Sequence, residues 1–157
     1  NTYHFSIGQG DLALTSVAIH RADLTVANNG KLCSLKIVGN TKCIDLKIKK
    51  ENIDYVKEGM TMACSTGGTA YTFFDFKDKH NGLKVSCKTG TAETNEIDKT
   101  HAWFFAFSPT ENPELVLTVM VEKSGEGSKV AGPIAREIFD EYFKVQSTVQ
   151  DSVGLEN

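Results

Sequence analysis

The chain has 157 residues, 40% of them hydrophobic and 24% charged, with 13 Gly and 3 Pro, which leaves room for one domain or part of a larger one and excludes a multi-domain machine. A chain of this size buries roughly two-thirds of the surface its unfolded form exposes, so extensive intrinsic disorder is excluded too. The formal net charge of −3 offers no basic field for phosphates, which argues against a nucleic-acid partner, and no apolar run reaches the roughly 18 residues of a membrane-spanning helix. The sequence opens without a Met, a charged leader or an apolar signal core, and the expectation is that it is cut from a longer protein.

The first readable element follows a glycine-rich entry, Ser6-Ile7-Gly8-Gln9-Gly10. Thr15 suits a helix N-cap, because its hydroxyl can accept from the backbone N–H groups of the first turn. Asn29 and Gly30 suit the other end, because both enter the left-handed conformation readily. A helix of about four turns is expected between them. Residues 31–50, KLCSLKIVGNTKCIDLKIKK, alternate Lys with Ile, Leu and Val and read as a weak strand or hairpin with a solvated Lys face. A hairpin there would bring Cys33 and Cys43 within disulfide reach in an oxidising compartment; two unpaired thiols are the alternative.

A second helix is predicted from Ile53, Val56, Met60, Ala63 and Cys64, which share one face, with Glu51, Asp54, Lys57 and Glu58 opposite and Gly67-Gly68 as the stop. Three strand-like runs follow, Leu83–Thr91, His101–Phe107 and Leu115–Glu122, joined by short polar turns that favour an antiparallel meander. The last two are apolar on both faces (WFFAF, LVLTVMV), which implies a covered sheet. A final helix from near Ser128, with Pro133 in its first turn, carries Ala131, Ile134, Ala135, Ile138, Phe139 and Tyr142 and should pack on that sheet. VQSTVQDSVGLEN shows no clear apolar period and is expected to fray, dividing the chain into a folded portion, 1–143, and a polar tail, 144–157. The predicted class is α+β, an antiparallel sheet covered by helices on both faces.

The chemistry concentrates at Lys88-Thr89-Gly90-Thr91. There an ammonium, two hydroxyls and an unobstructed backbone meet at a strand end, as binding a carboxylate and lining an extended peptide would require. Taken alone, the tetrapeptide reads more plainly as an exposed strand end with a solvated Lys. Cys87 should face away from Lys88 by strand alternation, and both it and Cys64 read as small buried hydrophobes. The four Cys and four His show no zinc spacing, so no metal and no cofactor is implied. Gly125-Glu126-Gly127-Ser128-Lys129 lacks the Gly-Lys-Ser order of a phosphate loop and reads as a solvent loop. His101 and Trp103 should start and fill a core strand.

Four blocks stand in one order across nearly all of residues 6–143: SIGQG with a helix ending ANNG, KTGTAE, HAWFFAFSP, and LVLTVMVEKSGEGSKVAGPIAREIFDEYF. Together they resemble the C-terminal part of the transpeptidase domain of class B penicillin-binding proteins, with the partial transpeptidase/β-lactamase-like fold that this implies. By the resemblance, Lys88 and Thr91 take part in catalysis and Lys88, Thr89, Gly90 and Thr91 bind substrate. Lys88 would set the electrostatics of the cleft and bond the serine of the family's Ser-x-Asn motif. The Thr89 and Thr91 hydroxyls would hold the terminal carboxylate of a D-Ala-D-Ala stem peptide or of a β-lactam, the Thr91 N–H would be an oxyanion-hole donor, and Gly90 would leave the approach clear.

Two departures qualify the match. No Ser is followed by Lys three residues on and none begins Ser-x-Asn, so both motifs are expected upstream of residue 1. The helix after SIGQG opens Thr15-Ser16-Val17-Ala18 where the family has Thr-Pro-Leu-Gln. The resemblance implies a parent D,D-transpeptidase that cross-links peptidoglycan by serine acyl transfer, is a β-lactam target and works with other cell-wall synthesis proteins. It would sit on the outer face of a bacterial membrane through an N-terminal anchor, and this chain alone would be inactive. The alternatives are a non-enzymatic β-lactam sensor or peptide-binding module, and a β-lactamase or D,D-carboxypeptidase. In the family further strands pair beside the strand matching Leu115–Glu122, so that edge is expected to be bare here and to favour a homodimer.

Overall fold

A computed structural model describes residues 2–10 and 13–153, with side chains described through residue 144. The elements are α1 (Thr2–Ser6), α2 (Ser16–Ala27), β1 (Lys31–Cys33), β2 (Cys43–Asp45), α3 (Lys50–Ala63), a 3₁₀ turn (Tyr71–Phe73), α4 (Phe76–Lys79), β3 (Ser86–Glu93), β4 (Thr100–Ser108), β5 (Leu115–Val121) and α5 (Ala131–Val153). Strands β3, β4 and β5 form the predicted antiparallel meander in that spatial order, with Gly90 opposite Trp103 and Trp103 opposite Met120.

Alternation along β4 sends Phe104 and Ala106 to one face and Phe105 and Phe107 to the other. On the first face they join Phe73, Phe76, Ala135, Phe139 and Phe143; on the second they meet Ala27 of α2 and Met60 of α3. The sheet is therefore covered by helices on both faces, as expected.

The start and stop of α2 follow its sequence signals. Thr15 Oγ1 accepts from the Ala18 N–H at 3.2 Å. Asn29 and Gly30 both take positive φ, 56° and 83°, and the Gly30 N–H returns to the Thr25 carbonyl at 2.8 Å.

The buried face of α3 differs from the predicted one. Val56 is 47% exposed, whereas Lys57, expected in solvent, is only 7% exposed. The cause is the C-terminus of α2: Lys57 Nζ donates to the Ala27 carbonyl at 2.9 Å and to Asn29 Oδ1 at 2.8 Å, so the ammonium satisfies one main-chain carbonyl and one side-chain amide oxygen at a helix end that carries negative partial charge. Its desolvation lowers the lysine pKa.

In α5 the buried row is Ala131, Ala135, Phe139 and Phe143, at steps of four, while Ile134 and Ile138 are about two-fifths exposed. The helix also runs on through Val153, so most of the segment expected to fray is helical backbone; residues 154–157 lie outside the described residues.

All four cysteines are paired. Cys33 and Cys43 face each other in the β1–β2 register and form a disulfide, which resolves the alternative left open by the sequence. Cys64 and Cys87, read as small buried hydrophobes, form the second. Both are buried as predicted, but the last turn of α3 packs over β3 and brings the two thiols together across a separation of 23 residues.

Candidate functional site

Strand β3 lies at one edge of the sheet, paired only to β4, and Lys88, Thr89, Gly90 and Thr91 fall in its middle. Strand alternation places the Lys88 side chain on the same face as its cross-strand partner Phe105, while the Thr89 and Thr91 side chains leave from the other face. The ammonium and the hydroxyls therefore approach each other only around the free edge. Lys88 Nζ curls over that edge and donates to the Thr89 carbonyl at 2.5 Å, and among the described residues it forms no ion pair with a carboxylate. Thr89 Oγ1 donates to Thr69 Oγ1 at 3.0 Å, from the turn that follows α3.

The backbone of the free edge has its own order. Gln9 Nε2 donates to the Thr91 carbonyl at 3.1 Å, which identifies Thr91 as a residue whose backbone groups point away from β4. With a period of two, the Thr89 groups and the Thr91 N–H face the same way. The site thus combines outward N–H donors, two hydroxyls and a cation on one strand edge, a set suited to an extended ligand that ends in a carboxylate.

A cavity of about 550 Å³ adjoins this edge, lined by Leu14, Asp23, Lys88, Trp103, Phe105 and Thr118 among others. Trp103 is half-buried there and does not fill a closed core as expected. Deeper in, Thr118 Oγ1 donates to Asp23 Oδ2 at 3.0 Å and lies 3.0 Å from His20 Nδ1. Burial raises the Asp23 carboxyl from 3.8 to about 6, against a smaller lowering by the Thr118 hydrogen bond.

Gly90 is constrained from behind. A Cβ built on it would lie 3.1 Å from Trp103 Cβ. Gly127, in the segment read as a solvent loop, is buried, and a Cβ there would meet the Trp103 carbonyl oxygen at 2.1 Å and the Gly90 carbonyl oxygen at 2.4 Å. The loop is thus a backing for the Lys-Thr-Gly strand, because only a residue without a side chain allows two backbones to approach so closely. Sequence reasoning missed Gly127, Thr69 and the side-chain role of Gln9. The glycine-rich blocks around Gln9 and Gly127 were visible, but only their three-dimensional convergence on β3 gives them meaning. Among the described residues no group of His, Cys, Asp and Glu could hold a metal ion.

Similar known proteins identify the family of the chain. The family model described as penicillin binding protein transpeptidase domain matches residues 1–140. The peptidoglycan D,D-transpeptidase MrdA of Haemophilus influenzae is 29% identical over 166 residues, covering 90% of this chain and 26% of that protein. The complex between the penicillin-binding protein PBP2 and MreC from Helicobacter pylori superposes with a TM-score of 0.72 at 27% identity, covering 92% of this chain and 27% of that one. The imipenem acyl-enzyme complex of penicillin-binding protein A from Mycobacterium tuberculosis gives 0.64 at 27% identity, covering 87% and 32%. The chain thus spans between a quarter and a third of the length of these three proteins. The family model covers most of the chain, and the chain belongs to the penicillin-binding protein transpeptidase domain family.

Proposed function

We propose that this chain supplies the substrate-binding wall of a peptidoglycan D,D-transpeptidase. The observation that carries the reading is the free edge of β3, where the outward Thr91 N–H lies between the Lys88 ammonium on one face and the Thr89 and Thr91 hydroxyls on the other, beside the cavity of about 550 Å³. A serine elsewhere in the parent protein attacks the penultimate D-Ala carbonyl of a stem peptide. The Thr91 N–H donates to the oxygen as it becomes negative, a contribution typically worth a hundredfold or more in rate. The C–N bond breaks, D-Ala leaves with a proton on its amine, and the amine of a neighbouring stem resolves the acyl-enzyme. Thr89 and Thr91 hold the terminal carboxylate and Lys88 supplies the positive field. A β-lactam would enter the same place; the M. tuberculosis relative forms an acyl-enzyme complex with imipenem.

By the same reading the parent works with other cell-wall synthesis proteins, for which the H. pylori PBP2–MreC complex is the precedent. It acts on the outer face of a bacterial membrane, held by an N-terminal segment. Two disulfides that use all four cysteines support that compartment, since cytosolic thiols are kept reduced. The outer edge of β5 pairs with no strand among the described residues, so it serves as a homodimer contact of the isolated chain; a monodisperse monomer in light scattering at high concentration would count against this.

A fluorescent penicillin tests the reading. The full-length protein should take up one hydroxylamine-sensitive label per chain, and the present chain none, because it holds no Ser-x-x-Lys. Failure of the full-length protein to label would overturn the reading, and rapid nitrocefin turnover would reassign it to a hydrolase.

A further inference from the structure

We propose that Gln9 is a positioning residue: its side-chain amide closes the outer edge of β3 just beyond Thr91 and fixes the peptide unit next to the oxyanion donor. Gln9 Nε2 donates to the Thr91 carbonyl at 3.1 Å, and Gln9 Oε1 accepts from the Glu93 N–H at 3.2 Å. One carboxamide thus pairs with residues i and i+2 of the strand edge, as the N–H and C=O of one residue in a parallel neighbouring strand would.

The loop is built to deliver it. Gly8 and Gly10, on either side, both have positive φ, 74° and 82°, so the chain turns back on itself. The Gln9 N–H is tied to the His4 carbonyl at 2.9 Å, and a Cβ on Gly10 would come within 3.1 Å of His4 Cβ. A residue held this way on a two-glycine turn, with both side-chain polar atoms engaged on β3, has little freedom to point elsewhere.

Two consequences follow. With the Glu93 N–H taken, the Thr91 carbonyl engaged and the Thr89 carbonyl held by Lys88 Nζ, an extended ligand finds the Thr89 and Thr91 N–H groups open on this edge, so Gln9 marks where the substrate groove ends. The bond to the Thr91 carbonyl also fixes the Thr91–Ala92 peptide plane, and with it the backbone of the residue whose N–H is proposed to face the developing oxyanion. The inference rests on the transpeptidase reading above, but Gln9 has no part in it as stated.

The test uses the full-length protein. Labelling of the wild type by a fluorescent penicillin comes first; its absence would defeat the transpeptidase reading and leave the Gln9 contacts to be judged by amide exchange at Glu93. In a protein that labels, Gln9→Ala should acylate about tenfold more slowly, the scale of one or two net hydrogen bonds lost from the transition-state geometry. Gln9→Glu separates positioning from mere folding. Its ionised carboxylate can accept from the Glu93 N–H but cannot donate to the Thr91 carbonyl, whereas the protonated acid can do both. Its rate relative to wild type should therefore be low at neutral pH and recover as the pH falls, while Gln9→Ala should show no such recovery. Exchange of the Glu93 amide should speed up in Gln9→Ala with the α5 amides unchanged. Acylation of Gln9→Ala at or above the wild-type rate, or a Gln9→Glu to wild-type ratio that does not change with pH, would overturn the proposal. So would unchanged exchange at Glu93.

Discussion

On one side of the sheet, α5, α4 and the 3₁₀ turn bring Phe73, Phe76, Phe139 and Phe143 onto Phe104, with Phe73 stacked on Phe104 at 5.4 Å and set edge-on to Phe139 at 5.5 Å. The rim of that side is fastened by Arg136, which donates to the Thr72 carbonyl and to Asp75 and Asp140. Hydrogen bonds from Lys79 and then Arg136 hold the Asp75 carboxyl down to about 2. On the other side, under α2 and α3, the apolar cluster is smaller, Ala27, Met60, Phe105 and Phe107, and cavities of about 550 and 300 Å³ open beside it. The closed side holds the fold, and the open side carries Lys88, Trp103 and the half-buried Asp23. A strand edge meant to receive a ligand is anchored from the filled side and left accessible from the other.

Truncating one phenylalanine on each side tests that division. Phe139→Ala removes a ring with no exposed surface from the centre of the aromatic cluster and should cost about 3–5 kcal/mol in urea unfolding. Phe105→Ala should cost clearly less. Its ring borders the existing cavity, so its loss enlarges a space that is already open and adds no sealed void. Equal costs would mean that the open side is as tightly bound into the fold as the closed one.

The same contrast explains how much could be read from the sequence. The closed side was legible: the apolar runs of β4 and β5, the helical row that includes Ala131, Ala135 and Phe139, and the turn lengths specify a meander with α5 behind it. Local caps were legible too, because Thr15 and Asn29-Gly30 act through backbone groups a few residues away. The misses all involve partners distant in sequence. The charge of Lys57 points to solvent, and nothing near it announces the Ala27 carbonyl and the Asn29 amide oxygen that it satisfies 30 and 28 residues away. Cys64 and Cys87 each look like ordinary core residues until α3 is laid over β3. Gly127 and Gln9 act on β3 through close approach and through a side-chain amide, which leave no period in the sequence. Lys88-Thr89-Gly90-Thr91 itself was found by motif and context, although the split of its side chains between two faces needed the strand.

The smallest expected effect probes the polar floor of the open side. Asp23 sits under Thr118 with His20 on the same hydroxyl, and Lys88, Glu93 and His101 line the cavity around it. Burial holds its carboxyl near 6 in the folded protein, against 3.8 when unperturbed, so the folded state binds this proton more tightly than the unfolded chain does. The contribution of Asp23 to stability is therefore most favourable below about pH 4, declines as the pH rises through the interval up to about 6, and above that leaves a half-buried carboxylate whose desolvation cost is fully present. Asp23→Asn keeps an oxygen for the Thr118 hydroxyl but carries no charge at any pH. It should match the wild type in urea midpoint at pH 4 and exceed it at pH 7. A difference of the same size at both values would show that the carboxyl is solvated through the cavity and that the open side is wetter than its lining residues imply.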